Sequence, residues 1–372
     1  MTARDPYLLT PGPATTAPET KAAMQRDWGS WDGDFKAITA RVRSRLVAIA
    51  EADESYACVP IQGSGTFAVE ATLGSLVPRD GKALVLANGA YGKRAAETLA
   101  RIGRAHELYA TAEDTQPDPA EVDRLLAGDP SISHVLLVHC ETTSGILNPL
   151  EPIARAVAAR GRSLILDAMS TFGALSIPTS SLGLGAVIAS ANKCLEGVPG
   201  VGFVVARKRD LEAATGNAHS LSLDLADQWS YMERTGQWRF TPPTHVMAAL
   251  DTAIDLHTAE GGTPARGSRY AANRRAVVDG LRALGIEPLL PDALQSPIIV
   301  TFRCPDDPRF GFQPFYDRLK AEGFIIYPGK MTAAETFRIG CLGTLTPGIM
   351  RDVVAAVARV LDDLGVARRR AA

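Results

Sequence analysis

Short apolar runs rich in valine, isoleucine and leucine recur along the chain at Ala83–Ala87, Val135–Cys140, Ser163–Asp167, Ala186–Ser190 and Val201–Ala206. Stretches with helical spacing, Ala95–Gly103, Pro119–Ala127 and Pro149–Arg160, separate most of them. This alternation constrains the fold more than any other feature. It predicts an α/β architecture with a mainly parallel sheet covered by helices on both faces. The last two runs are joined by the glycine-rich Gly197–Gly202 segment, too short for a helical crossover, so an antiparallel pairing is open to them.

At 372 residues the chain is long enough for two or three domains. Beyond about residue 250 the pattern changes. A long helical stretch, Pro264–Leu284, leads to runs at Pro297–Phe302, Gly323–Tyr327 and Thr336–Gly340. An amphipathic helix closes the chain over Pro347–Leu364, with Ile349, Val353, Val357 and Leu361 on one face. The expected division is an N-terminal arm (1–16), a large domain (17–255) and a smaller C-terminal α+β domain (256–372). Pro11, Gly12 and Pro13 bar the arm from helix or central strand, which predicts an extended segment lying over the surface or over a partner subunit. The basic Arg368–Arg370 tail reads as a frayed terminus.

A net charge of −2 gives no footprint for nucleic acid or an anionic membrane, and no apolar run reaches the roughly 18 residues of a membrane span. Asp5 and Pro6 interrupt the first segment, so no secretory leader is expected. The cysteines, 58, 140, 194, 304 and 341, are scattered and never spaced CxxC, which fits reduced thiols in a cytoplasmic protein better than a metal site.

Ligands of open α/β sheets collect at the carboxyl ends of the strands. Asp167 closes one apolar run there, as a functional carboxylate or as a helix cap. Lys193 lies between an apolar run and the glycine segment, where burial would lower its pKa and free a nucleophilic amine. Gln62–Thr66 precedes a helix-like stretch, and Ser64, Gly65 and Thr66 suit either an anion cradle or an ordinary capped helix start. No strand is evident before it. Tyr91 follows another run and serves equally as core or as a stacking face. Taken together, these residues suit pyridoxal 5′-phosphate. That cofactor needs an anion site, a ring platform, a carboxylate for its ring nitrogen and a lysine for its aldehyde.

The order and spacing resemble the class V aminotransferases of pyridoxal phosphate fold type I over nearly the whole chain. The resemblance is carried by Leu8–Pro13, Arg26–Asp32, Ser190–Cys194, Ser220–Asp224, Trp238–Thr241, Tyr327–Lys330 and Thr336–Gly340. It implies a seven-stranded-type sheet sandwiched by helices and a smaller C-terminal domain. It implies that Lys193 forms the Schiff base and shuttles the proton, and that Asp167 pairs with the ring nitrogen. Ser64, Gly65, Thr66 and Asn192 would serve the phosphate, Tyr91 would stack on the ring and Thr143 would contact the ring hydroxyl. Thr241 would reach the phosphate of the neighbouring subunit, making an active homodimer. Arg338 would bind the substrate's acidic group, with Arg239, Lys330 and Arg26 as further cations. Without the resemblance, Arg338 reads as a surface arginine on an edge strand.

The implied activity moves the amino group of 2-aminoethylphosphonate to pyruvate by a ping-pong route, giving phosphonoacetaldehyde and L-alanine. Alanine/serine–glyoxylate transamination, or use of another aminophosphonate, is the alternative. Gly29 and Cys341 depart from the family pattern of cysteine and asparagine and bear on substrate choice. Cysteine desulfuration would need a mobile thiol, for which Cys341 between glycines is ill placed. A dehydrogenase would need a glycine fingerprint after a strand. A binding module on this fold would be expected to lack the lysine or to carry an added DNA-binding segment.

Overall fold

Seven strands form the central sheet of the structure, a computed structural model that describes residues 5–331 and 334–366. They are β1 (Tyr56–Gly63), β2 (Lys82–Ala87), β3 (Ala105–Ala110), β4 (Ile132–Val138), β5 (Ser163–Asp167), β6 (Ala186–Ser190) and β7 (Gly200–Arg207). Their order is β1-β7-β6-β5-β4-β2-β3, with β7 antiparallel to both neighbours and the other pairings parallel. The tight Lys193–Pro199 connection accounts for the reversal, since it leaves no room for a crossover helix.

Successive side chains of the strands enter opposite cores. Leu84, Leu86, Val135, Leu137, Leu164 and Leu166 pack on one face, and Val85, Leu136, Ile165 and Ile188 on the other. The first face is covered by α1 (Gly33–Ile49), and the second by α2 (Gly65–Leu76) and α3 (Ala90–Arg101). Two further helices, α4 (Pro119–Gly128) and α5 (Leu150–Ala159), cover the first face beside α1. Then α6 (Leu225–Thr235) joins the second face and α7 (Thr244–Glu260) the first. With some two dozen or more buried apolar side chains at roughly 1.5–3 kcal/mol each, this double core is the main stabilising element.

Two strands escaped the sequence pattern. β1 contains Pro60, which an interior strand would not tolerate, but β1 lies at the sheet edge. β3, at the other edge, is largely exposed and polar in sequence. The expectation that no strand precedes Gln62–Thr66 is thus corrected: β1 runs directly into that segment.

The remaining residues build a three-stranded antiparallel sheet from β8 (Ile299–Arg303), β9 (Tyr327–Pro328) and β10 (Thr336–Gly340), with β10 in the centre. Helices α8 (Gly262–Ala283) and α9 (Pro347–Asp363) pack on it through Val277, Leu281, Val353 and Val357. Thr346 caps α9 by accepting from Ile349 N at 3.3 Å. The described part of the N-terminal arm, residues 5–16, packs into the fold rather than lying over its surface. Tyr7–Leu8 pairs with Phe324–Ile325, and Leu9, Thr10 and Ala14 are buried. The segment is extended as its prolines demand, but apolar Leu9 joins the C-terminal core. The Arg368–Arg370 tail lies outside the described residues.

Candidate active site

The carboxyl ends of the strands meet at a cavity of about 180 Å³. Ser64, Gly65, Thr66, Tyr91, Asp167, Asn192 and Lys193 line it together. Each comes from a strand end: β1 delivers the first three, β2 Tyr91, β5 Asp167 and β6 the last two. Ser64 is the residue before α2, and its hydroxyl makes no capping bond; Phe67 N donates to Ser64 O at 3.0 Å, which leaves the Gly65 and Thr66 N–H groups at the positive end of the helix for the cavity. A Cβ on Gly65 would lie 2.3 Å from Met169 Sδ, so any larger residue there would require the Met169 side chain to move.

Asp167 is 7% exposed and accepts from Met169 N at 3.0 Å. Burial pushes its carboxyl up to about 6, and the nearby Glu141 charge adds to this, against the opposing effects of Met169 N, Lys193 and Arg94. Burial also lowers the pKa of Lys193, only partly offset by Asp167. Its Nζ donates to Pro11 O at 3.2 Å, so the N-terminal arm closes one side of the site. Asn192 accepts from Ser190 Oγ at 3.0 Å.

Thr143, Thr241 and Arg338 do not line the cavity, nor do the further cations Arg239, Lys330 and Arg26. Thr143 is buried, donates its hydroxyl to Glu141 Oε1 at 2.6 Å and accepts from Ala90 N at 3.2 Å. Thr241 is exposed and lines a separate groove with Phe67, Trp238 and Phe240. Arg338 is fully buried on the central strand of the small sheet, which overturns the reading of a surface arginine on an edge strand. It donates through Nε to Pro328 O (3.0 Å) and through Nη1 to Thr142 O (2.8 Å), and its Nη2 is buried with no partner among the described residues. Lys330 is exposed but close enough to Arg338 and Arg94 for their charges, after burial, to lower its pKa. Arg239 lies over Phe240. Arg26 stacks on Trp28 and lines a distant surface groove with Asp251.

Residues 17–307 match the family model for aminotransferase class V. The 2-aminoethylphosphonate–pyruvate transaminase of Pseudomonas fluorescens (strain Pf0-1) is 56% identical over 366 residues, 98% of this chain and 99% of the relative. The chain belongs to the class V aminotransferases. A second relative in this family, the 2-aminoethylphosphonate–pyruvate transaminase of Rhizobium meliloti (strain 1021), is 57% identical over 97% of this chain and 95% of its own length. Among solved structures, pyridoxamine–pyruvate aminotransferase from Mesorhizobium loti superposes with a TM-score of 0.89 at 25% identity, covering 100% of this chain and 95% of that one. Ureidoglycine–glyoxylate aminotransferase from Bacillus subtilis, at 22% identity, 99% and 96% coverage and a TM-score of 0.90, shares the fold.

The class V family implies pyridoxal phosphate, and the residues present fit that group. A buried carboxylate held near 6 gains from a cationic ring nitrogen beside it, and a buried amine of lowered pKa suits attack on an aldehyde. The free end of α2 offers donors for a phosphate.

Sequence reasoning missed Glu141, although it follows an apolar run directly. Its buried carboxylate accepts from Tyr91 N (3.0 Å) and from Thr143 N (3.1 Å), tying two site residues together. It missed the arm's closeness to Lys193 as well, a contact between residues 182 positions apart. Cys341 is buried and its thiol is pushed up to about 12 by that burial, which removes it as a nucleophile.

Proposed function

We propose that the protein transfers the amino group of 2-aminoethylphosphonate to pyruvate, using pyridoxal phosphate held by Lys193. The observation that carries this reading is that a buried Asp167 and a half-buried Lys193 share one cavity, in a chain 56% identical to transaminases of that name. Pyridoxal phosphate, when bound, supplies an electron sink that lets the carbon bearing the amino group lose a proton.

Ser64, Gly65 and Thr66 would bind the phosphate through the free N–H groups at the start of α2, with Asn192 beside them. Tyr91 would lie against the ring, and Asp167 would keep the ring nitrogen protonated by offering its negative charge. Thr143 would orient the ring hydroxyl through its link to Glu141. Lys193 would hold the aldehyde carbon through Nζ. The Lys193 amine, whose pKa is lowered by burial, would be the base that takes the proton from the amino-bearing carbon. Pro11 O is placed to receive an N–H of the freed amine, which keeps it over the cavity. In the second half the amino group left by the donor would replace the carbonyl oxygen of pyruvate, which leaves as water, and Lys193 would return the proton to that carbon to give L-alanine.

Arg338 would anchor the phosphonate of the donor and the carboxylate of the acceptor in turn. Its unpartnered Nη2 is the donor available for this, while Pro328 O and Thr142 O hold the rest of the guanidinium still. The exposed aromatic Phe240 and Phe67, beside Thr241, support a homodimer in which Thr241 serves the partner's phosphate. The working parts are then the arm 1–16, the cofactor-binding domain 17–255 and the substrate-side domain 256–372. The test is turnover of 2-aminoethylphosphonate with pyruvate, read as alanine formed. Turnover only with alanine or serine and glyoxylate would replace this reading.

A further inference from the structure

Glu196, three residues after Lys193, is a non-glycine residue with φ of +58°. Such a conformation persists when the surroundings fix it. Here its carboxylate is 8% exposed and receives Tyr270 Oη at 2.6 Å, Arg269 Nη2 at 2.8 Å and Thr344 Oγ1 at 3.3 Å. The backbone of the same turn is gripped again two residues earlier, where fully buried Arg266 donates to Cys194 O at 2.5 Å. Glu196 N in turn donates to Lys193 O at 2.9 Å, so the lysine's own carbonyl is tied to this turn.

The other side of the cluster grips residues 343–345, directly after the strand that carries Arg338. Arg269 donates to Gly343 O (2.6 Å) and Leu345 O (3.0 Å), and Tyr270 Oη accepts from Gly343 N at 3.2 Å. Glu260 completes the charge balance by accepting from both arginines. Burial opposes its ionisation, but those bonds prevail and hold it at about 2. Glu260 bonds to neither the lysine turn nor residues 343–345 in the contacts above.

We propose that Glu196 is a positioning residue that fixes the spacing between Lys193 and Arg338, and so the length of acidic amine the site accepts. This assignment rests on the transaminase reading above. The donor must reach Lys193 with one end and Arg338 with the other; Lys193 follows a strand of the seven-stranded sheet, whereas Arg338 lies in the three-stranded sheet. Glu196 with Tyr270 and Arg269 is a bonded bridge between the segments that carry them. Removing it leaves each residue intact but lets their separation vary.

The test uses the cofactor-loaded protein. Three quantities are measured: kcat with 2-aminoethylphosphonate, the Kd of unreactive 2-hydroxyethylphosphonate by calorimetry, and the pH midpoint of the visible absorption band, which reports on Lys193. Glu196→Ala is expected to lower kcat and weaken the Kd by roughly tenfold each, and to move the midpoint, because small misplacements of reacting groups are costly. Glu196→Gln, whose amide oxygen can still receive Tyr270 and Arg269, should recover most of the loss. Glu260→Ala breaks no direct bond to either segment but loosens Arg266 and Arg269, so it should lower the melting temperature and cost distinctly less in kcat and Kd than Glu196→Ala.

Unchanged kcat, Kd and midpoint in Glu196→Ala would overturn the proposal, as would equal losses in Glu260→Ala. If Glu196→Ala does not fold, Tyr270→Phe decides: it should shift all three quantities in the same direction, and wild-type values would overturn the role. A wild type that ignores 2-aminoethylphosphonate contradicts the proposed function instead. The absorption midpoint still reads the positioning role in that case, and an unshifted midpoint refutes it.

Discussion

Gly12 lies so close to Lys193 that a Cβ built on it would stand 2.4 Å from the lysine Nζ. The arm and the lysine therefore share one packed surface, and Gly12 also holds φ of +122°, which side chains rarely adopt. Gly12→Ala should displace the lysine amine. The expected outcome is loss of turnover by about a hundredfold or more, with a weakened visible absorption band. Near-wild-type absorption and activity would show that the arm yields freely.

Asp167 carries a prediction with a definite sign. Its carboxyl is raised from 3.8 to about 6 by burial in the folded, cofactor-free protein. The folded state then binds the proton more tightly than the unfolded one, so stability falls as pH rises from about 4 to about 6. Above that window the cost is on the order of 2–3 kcal/mol. Asp167→Asn should therefore raise the melting temperature of the cofactor-free protein at pH 7.5 while removing most of its activity once loaded. A lower melting temperature would show that the carboxylate is already compensated.

Arg338→Ala should both destabilise and disable. It strands the buried Thr142 O, at a cost of about 1–3 kcal/mol, and frees Pro328 O of an exposed residue, where water can replace the lost bond. Arg338→Lys keeps a charge but cannot reproduce the planar fork, so KM for donor and acceptor should rise together by roughly tenfold or more. Unchanged Michaelis constants in the lysine variant would remove Arg338 from substrate binding.

Thr241 tests the shared site. Lys193→Ala and Thr241→Glu should each be inactive as pure dimers. If Thr241 serves the partner subunit, refolding the two together gives mixed dimers with one intact site, restoring about a quarter of wild-type activity. No recovery would place Thr241 in its own subunit's site or in none.

Much of this was legible in the sequence, for physical reasons that differ by residue. β2, β4, β5 and β6 are buried on both faces, so they read as continuous apolar runs, and Asp167 and Lys193 stood out as polar residues at their ends. β1 and β3 were hidden because edge strands tolerate Pro60 and exposed polar residues. The surroundings of Arg338 could not be read from an alternating pattern, since its burial is created by Thr142 O, 196 positions away. The same holds for the arm, whose contact with Lys193 is a product of tertiary packing. Glu141 and Glu196 look like surface acids in one dimension; only the buried donors around them show otherwise.

The most direct measurement of the central claim mixes the cofactor-loaded protein with 2-aminoethylphosphonate alone and follows its visible absorption. The account expects the band of the lysine-linked cofactor to vanish within one turnover and to return on addition of pyruvate, with alanine formed. A band that persists with 2-aminoethylphosphonate but is lost with L-alanine would contradict the proposed donor and move attention to Gly29 and Cys341.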